Sequence, residues 1–244
     1  MSYPFENRMQ QYYAMQPEAL RQVASGADTI LSSLAEPLHG FVPSRVLLIG
    51  IGSSFHAANM AVRCFFEVSG IRACCLTPEQ ILMQSMETRE HVLAIAVSQS
   101  GTSSNTLKAM EACRKAGFVT SVITQNTQSL IANACDLVLP LLIPEENAGP
   151  KTMGVVGTVA TLLIIAAALG KQKEAIDAAV AEIRSCEKAM EENLVFTRDW
   201  VLSQAETLCQ ASSWIVVGQR AAHAPAGESA LKIVETIRRV TAVY

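Results

Sequence analysis

Apolar residues along this chain fall into short continuous runs separated by stretches of helical spacing. VLLIGIG (46 to 52) is one such run, ending in glycines, as expected of a strand buried on both faces. ACCLTP (73 to 78), VLAIAVS (92 to 98), VTSVIT (119 to 124) and LVLPLLI (137 to 143) repeat the signal. Between them SSFHAANMAVRCFFEVSG, up to Gly70, and residues 79 to 87, 103 to 116 and 128 to 134 carry helical spacing. This alternation predicts an α/β fold: three layers, α/β/α, around a five-stranded parallel sheet. Binding groups are expected where the carboxyl ends of strands meet the amino ends of helices. Upstream, MQPEALRQVASGADTILSSL predicts a helix beginning near Pro17. Downstream, residues 152 to 170 and 172 to 210 predict long helices. SSWIVVGQR (212 to 220) then repeats the pattern of SRVLLIGIG and opens a second unit. One strand and one helix cannot form an independent sheet, so that unit reads as incomplete, as if a longer protein had been cut after Tyr244.

Composition narrows the class. Half of the 244 residues are hydrophobic and 17% are charged, enough apolar surface for one or two globular cores. A net charge of -3 without a basic cluster excludes attraction to a phosphodiester backbone, so no nucleic-acid partner is expected. Seven scattered cysteines, odd in number and without CxxC pairs, read as buried thiols of a reducing cytosol. The amino terminus has no signal-peptide pattern, which points to a cytoplasmic protein. GVVGTVATLLIIAAALG (154 to 170) is short for a membrane span and carries Gly157 within it, so it reads as a buried helix, with no membrane partner.

Candidate chemistry starts at "SQSGTSS". Ser98 ends a strand, Gly101 permits a tight turn, and Ser103 stands at an N-cap position. Amides of the following first turn, with the helix dipole, suit an anion such as a phosphate monoester. A plain cap in a Ser-rich turn fits the same residues. Gly50 and Gly52 resemble a dinucleotide loop, yet the third glycine and the acid ending the next strand are missing, which disfavours NAD. His56, on the next helical turn, reads as structural. Glu228, Lys232 and Glu235 lie at i, i+4 and i+7, on one side of a helix. Spacing alone is met by surface pairing of Glu228 with Lys232.

VSQSGTSSNTLKAMEACRKAG resembles the signature segment of the sugar isomerase (SIS) domain family, and VITQNTQSLIANACDLVLPL resembles that family's next strand, loop, helix and strand. The likeness covers residues 40 to 244. It implies a flavodoxin-like sheet, an N-terminal helical segment (1–40), a first SIS domain (41–170), and a helical connection with the start of a second SIS domain (171–244), a tandem arrangement incomplete in this chain. It implies that Ser98, Gln99, Ser100 and Ser103 capture a phosphate and that Ser53 and Ser54 position the sugar. Asn147, Ala148 and Lys151 match the family's substrate loop loosely, while Glu145 and Glu146 fit a solvated surface pair equally well. GESALKIVETIRR is similar to the isomerase-domain helix of glucosamine-6-phosphate synthases and fructosamine deglycases. By that resemblance Glu235 is the base moving a proton between sugar carbons 1 and 2, Lys232 holds the open-chain sugar, and Glu228 supports the helix. Burial that raises a carboxylate's pKa suits the role, and no metal or cofactor is needed. The resemblance implies a phosphorylated sugar or amino sugar as partner and a homodimer or higher homo-oligomer that shares its centre between subunits. The family's ring-opening histidine falls just beyond Tyr244. The implied activity is an aldose-ketose isomerase or a deglycase/deaminase for amino-sugar or fructosamine phosphates, working through an enediol or enolamine. The alternative is a sugar-phosphate-binding regulator without turnover, which Thr102, replacing the family's usual acid, favours.

Overall fold

The computed structural model describes residues 6–35, 38, 40–84 and 90–244. Five parallel strands form its sheet: β1 (Arg45–Ile49), β2 (Arg72–Leu76), β3 (Val92–Val97), β4 (Val119–Thr124) and β5 (Leu137–Pro140), in the order β2-β1-β3-β4-β5. Alternation along the strands divides the core in two. Val46, Leu48, Leu93, Ile95 and Val97 join one cluster, and Leu47, Ile49, Val92, Ala94 and Ala96 join the other. Both faces are therefore covered, which is why β3 is buried at all six positions and reads as a continuous apolar run.

One cluster gathers α2 (Gln16–Ser25), α3 (Ala27–Ala35), α4 (Ser53–Cys64) and α8 (Met153–Leu169). The other gathers α5 (Pro78–Leu82), α6 (Ser104–Lys115) and α7 (Leu130–Ala134). The expected helix from Pro17 is preceded by α1 (Glu6–Ala14) and divided at Gly26, where a Cβ would stand 2.3 Å from Leu142 Cδ1. The expected helix over 79 to 87 is only α5; residues 85–89 lie outside the described part. α8 is the apolar segment weighed above as a membrane span. It is buried on nearly all sides among helices, and no helix among the described residues is long and apolar enough to cross a membrane.

The stretch 172 to 210 is α9 (Lys173–Ser203) followed by the separate α10 (Ala205–Gln210). Beyond it β6 (Ser213–Val216), α11 (His223–Thr236) and β7 (Val240–Val243) make a parallel β-α-β unit. The expectation of one strand and one helix thus missed β7, whose four residues are too few to show a period. α11 packs on α4, and that contact ties this unit to the main sheet. Among the cysteines Cys113 is buried, four are partly buried, and Cys186 and Cys209 are exposed, against the expectation that all would be buried.

Candidate functional site

The strand order reverses between β1 and β3, and a cleft of about 800 Å³ opens there at the carboxyl ends of the strands. The loop after β3 forms one wall. Ser98 is buried, and Gly101 turns the chain with φ +67°. A side chain at 101 would be strained in that backbone and would meet Ser129 Oγ at 2.0 Å, so glycine is required twice over. Ser103 caps α6: its Oγ accepts from Thr106 Oγ1 at 2.9 Å and from Thr106 N at 3.4 Å. The Ser100 and Thr102 hydroxyls are 2.8 Å apart. Ser103 and Thr106 also line the cleft, so the capping hydroxyl faces the same space an anion would enter.

Behind this loop runs a chain of amides. Gln99 Nε2 donates to Gln125 Oε1 at 2.8 Å, and Gln125 Nε2 donates to the carbonyls of Ile143 and Pro144. The backbone N–H of Gln125 and the Thr124 hydroxyl both donate to the Gln99 carbonyl. Gln99 is therefore fixed from β4 as well as β3. Its Oε1 approaches α8 so closely that a Cβ at Gly154 would lie 2.5 Å away.

The opposite wall is the loop from Pro144 to Thr152. Glu146 is only 4% exposed, which overturns the solvated-pair reading. Its carboxylate accepts from Thr152 N (2.7 Å), Thr152 Oγ1 (3.0 Å), Met153 N (3.2 Å) and Gly154 N (2.8 Å). Those are the orphan donors at the start of α8, so Glu146 caps the helix and balances its dipole. The amino end of α8 is thereby closed to an anion, while that of α6 borders the cleft. Asn147 lines the cleft and its N–H donates to Tyr12 Oη at 3.0 Å; Ala148 is buried and is not among the lining residues. Lys151 lines the cleft and donates to the Glu146 carbonyl at 2.7 Å.

A side crevice shares Ser54, Gln99 and Lys151 with the cleft and reaches Ser53. There α11 arrives. Lys232 Nζ donates to Ser53 Oγ at 2.8 Å and to Glu235 Oε2 at 2.5 Å, and lies 3.2 Å from Glu228 Oε1. The Glu228–Lys232 pair is not on the surface: Glu228 is 8% exposed. Burial raises the Glu228 pKa, opposed by the Lys232 charge. The burial expected of the base Glu235 thus falls on Glu228, and Glu235 is more open. His56 packs its ring against Gly227 of α11, and burial, then the Lys232 charge, lowers its pKa. It stands in the α4–α11 seam, as a structural histidine would.

Residues 41–170, just over half of the chain, match the family model described as the SIS domain. The chain belongs to the SIS domain family. An isomerizing glutamine–fructose-6-phosphate aminotransferase of Caulobacter vibrioides is 25% identical over 228 residues, covering 90% of this chain and 38% of that protein. This chain therefore spans less than two fifths of that relative's length. Among solved structures, the C-terminal domain of glucosamine-fructose-6-phosphate aminotransferase from Francisella tularensis superposes with a TM-score of 0.81 at 19% identity, covering 97% of this chain and 69% of that one. Tagatose-6-phosphate ketose/aldose isomerase from Escherichia coli gives 0.74 at 18% identity, with 96% and 66% covered. At these identities the structures establish the SIS fold, a three-layer α/β/α sandwich with a five-stranded parallel sheet.

The SIS cleft brings Ser54, Ser98, Gln99, Ser100, Ser103 and Asn147 together, while Ser53, which lines the crevice, accepts from Lys232, and Lys232 pairs with Glu228 and Glu235. Gln125 escaped the sequence reading, and Glu146 entered it only as half of a solvated pair. Gln125 could have been found by its place after β4, since residues ending adjacent parallel strands converge. For Glu146 the signal is fainter: Thr152 stands at the N-cap position of α8 without making a side-chain cap bond, which leaves the helix in need of another acceptor.

Proposed function

We propose that this protein binds a phosphorylated sugar in the cleft and moves a proton between its carbons 1 and 2. It acts as an aldose-ketose isomerase or as a deglycase/deaminase of amino-sugar or fructosamine phosphates. One observation carries the reading: Ser54, Gln99 and Lys151 of the cleft also line the crevice that reaches Ser53, and Lys232, itself paired with Glu235, donates to the Ser53 hydroxyl. An anion-holding end is thus linked through Ser53 to an acid–base pair, as a sugar with a terminal phosphate requires.

In this reading the phosphate lies against Ser98, Ser100, Ser103 and the first-turn amides of α6. Each hydrogen bond to a charged oxygen contributes about 1.5–3 kcal/mol. Gln99 and Ser54 meet the sugar hydroxyls, and Asn147 lines the far wall. Lys232 leaves Glu235 to hold an oxygen of the open chain, freeing the carboxylate to act as base. The named activities of two relatives, a ketose/aldose isomerase and an isomerizing aminotransferase, support the same class of step. Cytoplasmic location and a homodimer belong to this proposal.

The test is a panel of ketose 6-phosphates, amino-sugar phosphates and phosphorylated fructosamines, followed by NMR for ketose-aldose exchange and by assay for released amine. Turnover of one class is expected, abolished in Glu235→Gln. Thermal stabilisation without turnover would make the protein a sugar-phosphate sensor. Neither response would remove the reading altogether.

A further inference from the structure

We infer that Lys151 holds the enediolate oxygen that forms as the proton leaves carbon. This deepens the isomerase reading and rests on it. Among the described residues lining the cleft, Lys151 is the only cation. It also lines the crevice with Ser53 and Ser54, and Ser53 is the residue whose hydroxyl accepts from Lys232, so Lys151 stands between the anion end and the serine that holds the acid–base pair. Its ammonium makes one hydrogen bond, to the Glu146 carbonyl oxygen, and none of the ion pairs among the described residues involves it. The neighbouring carboxylate of Glu146 is taken up by four donors at the start of α8 and makes no ion pair with Lys151. A neutral carbonyl therefore fixes the ammonium to the cleft wall and leaves its charge for the cleft. A preorganised positive charge of this kind favours a state in which negative charge develops over one in which it has not.

For a ketose phosphate the step balances as follows. Glu235 takes a proton from C-1; the C–H electron pair becomes the C1=C2 bond, and the carbonyl π pair moves onto O-2. Lys151 donates a hydrogen bond to that new oxyanion. The O-1 proton passes to O-2, Glu235 returns its proton to C-2, and the O-1 pair closes a carbonyl at C-1. Nothing is oxidised or reduced overall, and no co-reactant is consumed.

The competing role for Lys151 is holding the phosphate, and the two separate in kinetics. Glucitol 6-phosphate has the phosphate and no carbonyl, so its affinity, read by calorimetry, reports the anion end alone. Lys151→Met is expected to bind it within roughly threefold of wild type while kcat on the panel's best ketose phosphate falls about 100-fold. Lys151→Arg, which keeps the charge, is expected to recover at least about tenfold of that loss. A large loss of glucitol 6-phosphate affinity with kcat preserved would overturn the inference in favour of phosphate binding, and unchanged kinetics would overturn it outright. If Lys151→Met does not fold, Lys151→Gln and Lys151→Arg decide: equal kcat in the two means the charge is not used. Inactivity of the wild-type protein would sink the isomerase reading itself, a different result from any of these.

Discussion

Glu228 is a carboxylate closed off from water, with Lys232 as the one cation beside it. Burial raises its pKa above the ordinary 4.5. A group that binds its proton more tightly folded than unfolded contributes stability that is fully present below the unfolded pKa and is lost as pH rises through the folded one. The melting temperature of wild type relative to Glu228→Gln should therefore fall as pH climbs from 4.5 toward neutrality; a difference that rises over that range would show that the pairing with Lys232 outweighs burial. At this scale the sequence reading grouped the three residues on one helix face and mistook their setting. Helical spacing places Glu228, Lys232 and Glu235 on one side of α11, and the spacing is satisfied by solvent as easily as by a protein wall. Ser53, which supplies that wall, lies 179 residues from Lys232.

The elements were the most legible part. β1, β3 and β4 coincide with apolar runs, and α6 and α8 begin and end within a residue or two of their predicted limits, because two-sided burial and helical period leave marks within a few neighbouring positions. What the elements do at their ends was less visible. α8 begins without a side-chain bond from its own Thr152 and is capped instead from the preceding loop by Glu146. Glu146→Ala removes the acceptor for three backbone N–H groups and a hydroxyl, all on the buried residues Thr152, Met153 and Gly154, and should cost on the order of 3 kcal/mol, with Glu146→Gln between it and wild type. Urea unfolding measures both; a loss under about 0.5 kcal/mol would mean that water replaces the carboxylate.

On the scale of the whole molecule, α9 joins the core through Ala179 and Ile183, which are buried, and as far along as Met190, which packs against it. Its second half exposes Val195, Phe196, Trp200, Val201 and Leu202, a concentration of apolar side chains of the kind that marks an interface. The expected outcome is a homodimer in sedimentation velocity that Phe196→Glu with Trp200→Glu converts to monomer while the far-ultraviolet spectrum is kept. An unchanged sedimentation coefficient would place the interface elsewhere. By itself the sequence determined the layered parallel architecture and the polar loops after β1 and β3, since both follow from residue types a few positions apart. Only the tertiary structure decided that Glu146 and Glu228 are buried, that Gln125 fixes Gln99, and that Lys232 reaches Ser53. Burial of a polar group depends on donors and walls contributed by distant segments, and no local pattern records which segments those will be.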